Sequence, residues 1–412
     1  MFVKIVLILI VGFIVRTLLS FYKRKQNSPH RPTLTCFLDA LVEIFAALKV
    51  GPWSQPCDIH TAMKRAIKET GLTDIGTTTN FDFLKRYDTS RNIGTEKSKA
   101  VFSPAGSYFM GENLTKRFKN RLHFVDYLKK HPSILKIEVK SPVFVIGFPR
   151  TGTTFLHEIL GLHEDVRMHY TWEQMAPVPT THDESRAALN ADRVKRYNNN
   201  KFQFQLLFKY LIGQEIQQIH RIGYDEPEEC TIPCAFELPW ALSELPFNVF
   251  AAKELFPLGA GDAFVYYRKF LQMMTWQSED RANQDFTWLL KCPFHLPYLE
   301  DLHKEFPGAT VVWTHRDPAE CIASACSLYE TIMRMACEES SLDAKALGRA
   351  VMTYTKLSLE KAESTFKKLG KGLKVIHIRY IDNVKNTKAV CKNVLEQVLM
   401  YCIFVFSLQF CF

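Results

Sequence analysis

The chain has 412 residues, 47% of them hydrophobic and 23% charged, with a formal net charge of +9. That apolar content excludes a disordered or fibrous protein, no internal repeat or low-complexity run is present, and the eleven cysteines form no paired Cys-x-x-Cys zinc pattern. The positive charge is dispersed, with a modest excess of lysine over 364–393, so it calls for no nucleic-acid partner; attraction of a small, multiply charged anion accounts for it.

Residues 1–25 form a hydrophobic membrane-anchor candidate. The run from Ile5 to Val15 is uncharged, and its continuation through Arg16 to Tyr22 approaches the roughly 20 residues that a bilayer span requires. No small-residue cleavage site follows, which favours an uncleaved single-pass anchor over a signal peptide. Lys23, Arg24 and Lys25 would keep the following domain cytosolic by the positive-inside rule. A helical region is expected over about 34–135. Then Val143 to Leu160, VFVIGFPRTGTTFLHEIL, reads as a buried strand, a tight turn and a helix in succession. A helical insertion over about 183–285 follows, and further strands are expected near 286–290, 309–315 and 373–379.

Strands separated by helical stretches predict an α/β, P-loop-like three-layer fold: a central parallel sheet flanked by helices, with the helical N-terminal region and the insertion added. In such a sheet the ligand crevice lies at the carboxyl ends of the strands, where Arg150, Lys291 and Arg316 all fall. A main domain over 30–397 is expected. The tail 398–412 is uncharged and aromatic-rich.

An anion belongs at the start of the first helix. Unpaired N–H groups and the helix dipole favour negative charge there, Arg150 adds a permanent cation, and Thr151, Thr153 and Thr154 add hydroxyls around Gly152. Gly147 and Gly152 have the P-loop separation, but Thr153 stands where a nucleoside triphosphatase has its lysine. The cation inside the loop suits a nucleotide handled without a metal better than a Mg-triphosphate. A second apolar strand, ATVVWTHRD, delivers Arg316 at its end, and Ser324 follows on the next helix, placed to share one phosphate with it.

The loop Pro149-Arg150-Thr151-Gly152-Thr153-Thr154 resembles the 5′-phosphosulfate loop of sulfotransferases, which take a sulfuryl group from 3′-phosphoadenosine 5′-phosphosulfate (PAPS). The resemblance, to the bacterial-type family, runs from about Ala66 to about Gln397 through AIKETGL (66–72), NRLHFVDYLKKHP (120–132), WEQMAPVP (172–179), DEPEEC (225–230), LKCPFHLPYLEDL (290–302) and WTHRDPAECIASACS (313–327). It implies that Arg316 and Ser324 hold the 3′-phosphate, that Arg150 stabilises the phosphosulfate bridge with Lys291 as a second cation, and that PAPS is the co-substrate with no metal. The acceptor would be a hydroxyl of a carbohydrate, lipid or small alcohol.

Two residues compete for the general base. Glu173, expected at the end of a strand around Arg167 to Thr171, resembles the catalytic Glu of Golgi tyrosylprotein and heparan sulfotransferases, and His295 the catalytic His of the cytosolic enzymes, although three residues separate it from Lys291 where those enzymes have one. A His near pKa 6.5 needs no tuning, whereas a Glu near 4.3 needs burial; the resemblance favours Glu173, whose alternative role is a helix-capping acid. Asp225, Glu226, Glu228 and Glu229 read as first-turn acids of a helix begun by Pro227, or else as Glu228 or Glu229 facing the acceptor pocket with Arg221. Analogy with the Golgi enzymes places the protein in the Golgi or another endomembrane and leaves its side open. The tail departs from the family and reads as a truncated or aberrant end, so an inactive nucleotide-binding relative stands as one alternative; a P-loop nucleotide kinase, which would need a metal-binding carboxylate and a triphosphate, is another. Oligomeric state is left open.

Overall fold

A computed structural model of the protein describes residues 2–31, 33–49, 51, 58–76, 82–207, 214–219, 221–230, 245–278 and 286–399. Helices come first: α1 (Phe2–Asn27), α2 (Thr33–Ala47), α3 (Ile59–Thr70), α4 (Asp82–Ser98) and α5 (Pro104–Lys130). Their ends follow local chemistry. Asp58 caps α3 by accepting the Thr61 N–H, Gly71 closes it in the left-handed region at φ 71°, and Ser103 caps α5 ahead of Pro104. Leu114, Phe118 and Leu122 of α5 bury themselves against Ile59, Ala62 and Ala66 of α3, a helical spacing that puts them on one face.

The remainder alternates: β1 (Val143–Gly147), α6 (Thr153–Leu160), β2 (Val166–Arg167), α7 (Thr171–Met175), α8 (Arg186–Leu207), α9 (Gly261–Trp276), β3 (Thr287–Lys291), α10 (Leu299–Glu305), β4 (Thr310–His315), α11 (Pro318–Ala336), α12 (Ala344–Leu369), β5 (Lys374–Arg379), α13 (Tyr380–Lys385) and α14 (Thr387–Val398). Five parallel strands form one sheet in the order β2-β3-β1-β4-β5, with Val143 opposite both Leu289 and Thr310 and with Val312 opposite Ile376.

Alternation along β1 builds two cores. Val143 and Val145 face Leu156, Leu160, Val394 and Leu395 of α6 and α14; Phe144 and Ile146 join Phe264, Leu271, Tyr329 and Val351 of α9, α11 and α12 on the other side. Because both faces are covered, the strand is apolar at every position, as a buried parallel strand requires. The expected three-layer α/β fold is thus observed. Val398 packs on the second core and Leu399 closes it, and residues 400–412 of the tail lie outside the described residues.

Two local expectations are overturned. The chain around Pro227 is extended rather than helical: Tyr170 and Pro227 form an antiparallel bridge, and the N–H groups of Thr171 and Glu228 donate to the carbonyls of Glu226 and His169. β2 is two residues long, so Glu173 sits in the first turn of α7 and not at a strand end.

At the N terminus, α1 packs on α2 through Phe13–Phe45 and Phe21–Phe37 ring contacts and through Ser20 and Arg24 bound to Glu43. Buried Arg31 and Asp39 pair at 2.6 Å, and Asp39 also accepts the Ala105 N–H, which ties this hairpin to the start of α5. Among the described residues no helix is long and apolar enough to cross a membrane. One face of α1 packs on α2 from Phe13 onward, while Leu7, Leu9, Val11, Ile14, Leu18 and Leu19 are exposed along the helix.

Candidate active site

The crevice is built at the carboxyl ends of β1, β3 and β4. β1 ends in Gly147, where a Cβ would meet Thr314 Oγ1 at 2.3 Å and Thr151 Oγ1 at 2.6 Å. Only glycine lets the loop lie this close to β4. Arg150 follows in the left-handed region at φ 75°, a conformation that a side chain bearing a Cβ adopts at a cost of order 1 kcal/mol. Gly152 then caps α6 at φ 85° with the Tyr380 ring 3.0 Å from where its Cβ would be. Left-handed residues on either side of Thr151, just ahead of a helix start, make the alternation of backbone hands that turns neighbouring N–H groups toward one place, an arrangement suited to an anion.

Arg150 is held from two sides. Its Nε donates to Ser324 Oγ at 2.9 Å, its Nη1 donates to the Ile219 carbonyl at 2.8 Å, and its own carbonyl accepts from Arg316 Nη1 at 3.1 Å. Residues 174 positions apart in the chain therefore meet at one hydrogen bond. Asp317 caps α11 with Pro318 in its first turn, which aims Arg316 back at the loop. Arg316 also pairs with Glu320 at 2.7 Å and stacks 4.3 Å over the Tyr380 ring. Thr151 behaves otherwise than expected: its hydroxyl donates to the Phe148 carbonyl and meets Thr314 Oγ1 at 2.7 Å, so it closes the turn from beneath. Thr153 is buried at the start of α6.

Lys291 ends β3 fully buried, its Nζ 2.8 Å from Glu229 and 3.3 Å from Thr154 Oγ1. Burial works to lower the pKa of this ammonium, but the carboxylates of Glu229 and Glu228 outweigh it, and the net pKa lies above the usual lysine value. The cation is kept beside the loop. Glu229 is fixed there because the Cys230 N–H donates to the Lys291 carbonyl at 3.0 Å, while Gln174, His169, Tyr267 and Cys230 form a buried hydrogen-bonded chain behind it.

The four clustered acids meet four fates. Asp225 pairs with Lys201, Glu226 with Arg221, the Glu228 carboxylate accepts the Glu229 N–H, and Glu229 alone among them bonds Lys291. Arg221 thus serves Glu226, not Glu228 or Glu229.

Neither expected base shares a hydrogen bond with the loop. Glu173 is buried in a capping box: one oxygen accepts the Tyr170 N–H at 3.0 Å, and the other faces Arg193 at 3.1 Å and Arg167 at 3.5 Å. His295 has no exposed surface, packs on the rings of Phe144, Phe264 and Tyr267, and has no hydrogen-bond partner at either ring nitrogen. Burial pushes its pKa down to about 3. Sequence reasoning brought Glu229 only as far as a pair of possibilities, since its contact with Lys291 spans 62 positions and depends on the extended Pro227 segment.

A cavity of about 910 Å3 lies elsewhere, over the β2 edge, lined by Arg167, Glu173, Arg193 and their neighbours and by no residue of the loop. Among the described residues no group of three or more His, Cys, Asp or Glu is arranged to hold a metal ion.

By sequence, no curated protein matches this chain. Two solved structures are similar to it in fold: the sulfotransferase STF9 from Mycobacterium avium, with a TM-score of 0.68, 23% identity and coverage of 82% of this chain and 83% of that one, and the sulfotransferase STF1 from Mycobacterium tuberculosis, with a TM-score of 0.63, 21% identity and coverage of 82% and 88%. A family model described as "Sulfotransferase family" matches residues 142–399, a span that begins just ahead of β1, ends after α14 and contains the loop, Lys291, Arg316 and Ser324. With more than half of its length matched in this way, the chain belongs to the sulfotransferase family.

Proposed function

We propose that the protein transfers a sulfuryl group from PAPS to a hydroxyl of a carbohydrate, lipid or small alcohol. The observation that carries this reading is the meeting of Arg150, Ser324 and Arg316 at the start of α6. Three donors from two distant motifs surround one place, which suits a nucleotide with phosphates at both ends of its ribose. The loop N–H groups and Arg150 would hold the 5′-phosphosulfate, Arg316 and Ser324 the 3′-phosphate. Lys291 would neutralise the charge that grows on the departing phosphate oxygen.

Glu229 is the general base in this reading. It is the carboxylate in contact with Lys291, and its side chain is 13% exposed, whereas Glu173 is used as a cap between two guanidiniums and His295 is sealed in the core. The acceptor hydroxyl gives its proton to Glu229, its oxygen bonds to sulfur, and the bond from sulfur to the 5′-phosphate breaks with its electron pair left on the phosphate oxygen. We place the enzyme on an endomembrane, the Golgi included, with the exposed apolar turns of α1 in contact with lipid.

Calorimetric titration of the full chain with adenosine 3′,5′-bisphosphate and with Mg-ATP tests the nucleotide site. Bisphosphate should bind without metal, and Arg316→Ala should weaken it roughly 30-fold or more through loss of charge-assisted hydrogen bonds. Preference for Mg-ATP would favour a nucleotide kinase, and bisphosphate binding without turnover on any acceptor would favour an inactive relative.

A further inference from the structure

The cavity over the β2 edge has the size of a small-molecule site, about 910 Å3, and its lining joins flat aromatic faces to planar polar groups. Trp172, Tyr197 and Phe286 supply rings; Arg167, Arg193 and Glu173 supply the polar floor. Both guanidiniums are already engaged with Glu173, and they lie over aromatic rings, Arg193 at 5.5 Å from Trp172 and Arg167 at 4.7 Å from Trp288. Glu164 and Asp165 also line the cavity, so three carboxylates stand against two guanidiniums. The lining therefore does not favour an anion. A neutral ligand rich in hydroxyls fits it: hydroxyls accept from guanidinium N–H groups and donate to carboxylates without a change of charge, while C–H faces lie on the rings.

The walls are fixed in advance. Asp192 of α8 accepts from the Thr180 N–H at 2.9 Å and from Arg196 Nε at 2.6 Å, and Arg196 donates to Gln277 beyond α9 and to the Ala176 carbonyl at the end of α7, so α8 is anchored beside α7. Preformed sites lose little to ordering when a ligand arrives. We propose that this cavity binds a neutral sugar unit. Reading that sugar as part of the acceptor rests on the proposed sulfuryl transfer; the binding itself does not. Arg167 is in register with Trp288, three residues before Lys291, which puts the cavity floor about 10 Å along β3 from the crevice. One sugar ring does not cover that distance, so the acceptor would be an oligosaccharide or an extended glycoside.

Saturation-transfer NMR on the full chain tests this with the methyl β-glycosides of glucose, galactose and mannose as probes and glucuronate as the charged control. At least one neutral glycoside should receive saturation at its ring C–H protons, and glucuronate less. Val194 is exposed on α8 at the cavity rim, so Val194→Trp should plug the mouth without opening the core and reduce the signal about fivefold or more, with bisphosphate affinity unchanged. Absence of transfer to every neutral glycoside, or transfer indifferent to Val194→Trp, would overturn the proposal. Failure of bisphosphate to bind either protein would sink the sulfuryl-transfer reading and leave the sugar result to stand by itself.

Discussion

Glu229 and Glu173 each face buried or half-buried cations, yet the two regions around them are built for different ends. At the carboxyl ends of β1, β3 and β4, Glu229 meets a single lysine, and that lysine also touches the phosphate loop through Thr154. Over the β2 edge, Glu173 is surrounded: two guanidiniums take one oxygen and a backbone N–H takes the other. A carboxylate with its acceptor sites filled holds a helix start in place. One whose partner is a single ammonium, itself shared with the loop through Thr154, keeps acceptor capacity for a further donor. Residue type alone does not separate these roles; the number of partners does.

The sharpest way to break this contrast is to neutralise each acid in turn. Glu229→Gln should lower kcat by about 10²–10⁴, the range for loss of a general base, with bisphosphate affinity nearly unchanged. Rapid-quench turnover together with the titration above would read both quantities. If Glu173→Gln instead abolishes turnover while the stability stays put, the assignment of the base is reversed.

Glu173→Gln should act on stability. Removing the shared charge from Arg167 and Arg193 is expected to cost about 2 kcal/mol, below the 3–5 kcal/mol of a fully buried pair because Arg193 is partly solvated. A shift of the urea midpoint with kcat per folded molecule retained at saturating acceptor is the outcome that fits, any effect on the acceptor falling on KM because Glu173 lines the cavity over β2.

A third effect belongs to the core between the two regions, where His157, His169 and His295 are all buried. Burial pushes their pKa values down to about 3, 4 and 3, from an ordinary 6.5. The unfolded chain binds these protons and the folded one does not, so the stabilisation is complete above pH 6.5 and is lost as pH falls from there toward the folded values. At pH 5 each of His157 and His295 should contribute about 2 kcal/mol of destabilisation relative to neutral pH. His295→Phe, which keeps a ring of similar size, should flatten the dependence of the urea midpoint between pH 7 and 5, and an unchanged slope would mean that a hydrogen-bond acceptor or water in its pocket lets His295 take up a proton near its ordinary pKa.

Much of the fold was legible locally. The runs at Val143, Thr287, Thr310 and Lys374 became parallel strands within a residue or two of their expected limits: β1, β3 and β4 because a strand covered on both faces is buried almost throughout, and β5, at the sheet edge, through alternation of buried Ile376 and Ile378 with exposed Lys374, His377 and Arg379. The glycines of the loop were legible for a similar reason: Gly152 adopts a backbone conformation that glycine takes without strain, and Gly147 lies against β4 with no room for a Cβ. Pro227 misled, since a proline suits a helix start and an extended bridge equally, and pairing with Tyr170 decided between them.

What the sequence by itself determined is the set of elements whose signal lies within a few neighbouring residues: the strand, the glycine-bearing loop and the helix at 143–160, and the strand ends that carry Arg150, Lys291 and Arg316. Tertiary structure alone decided which acid meets Lys291, that Arg150 is drawn to Ser324, and that His295 turns into the core. Those outcomes depend on the burial and partners of side chains that lie tens to hundreds of positions apart, and such contacts leave no periodicity to read along the chain.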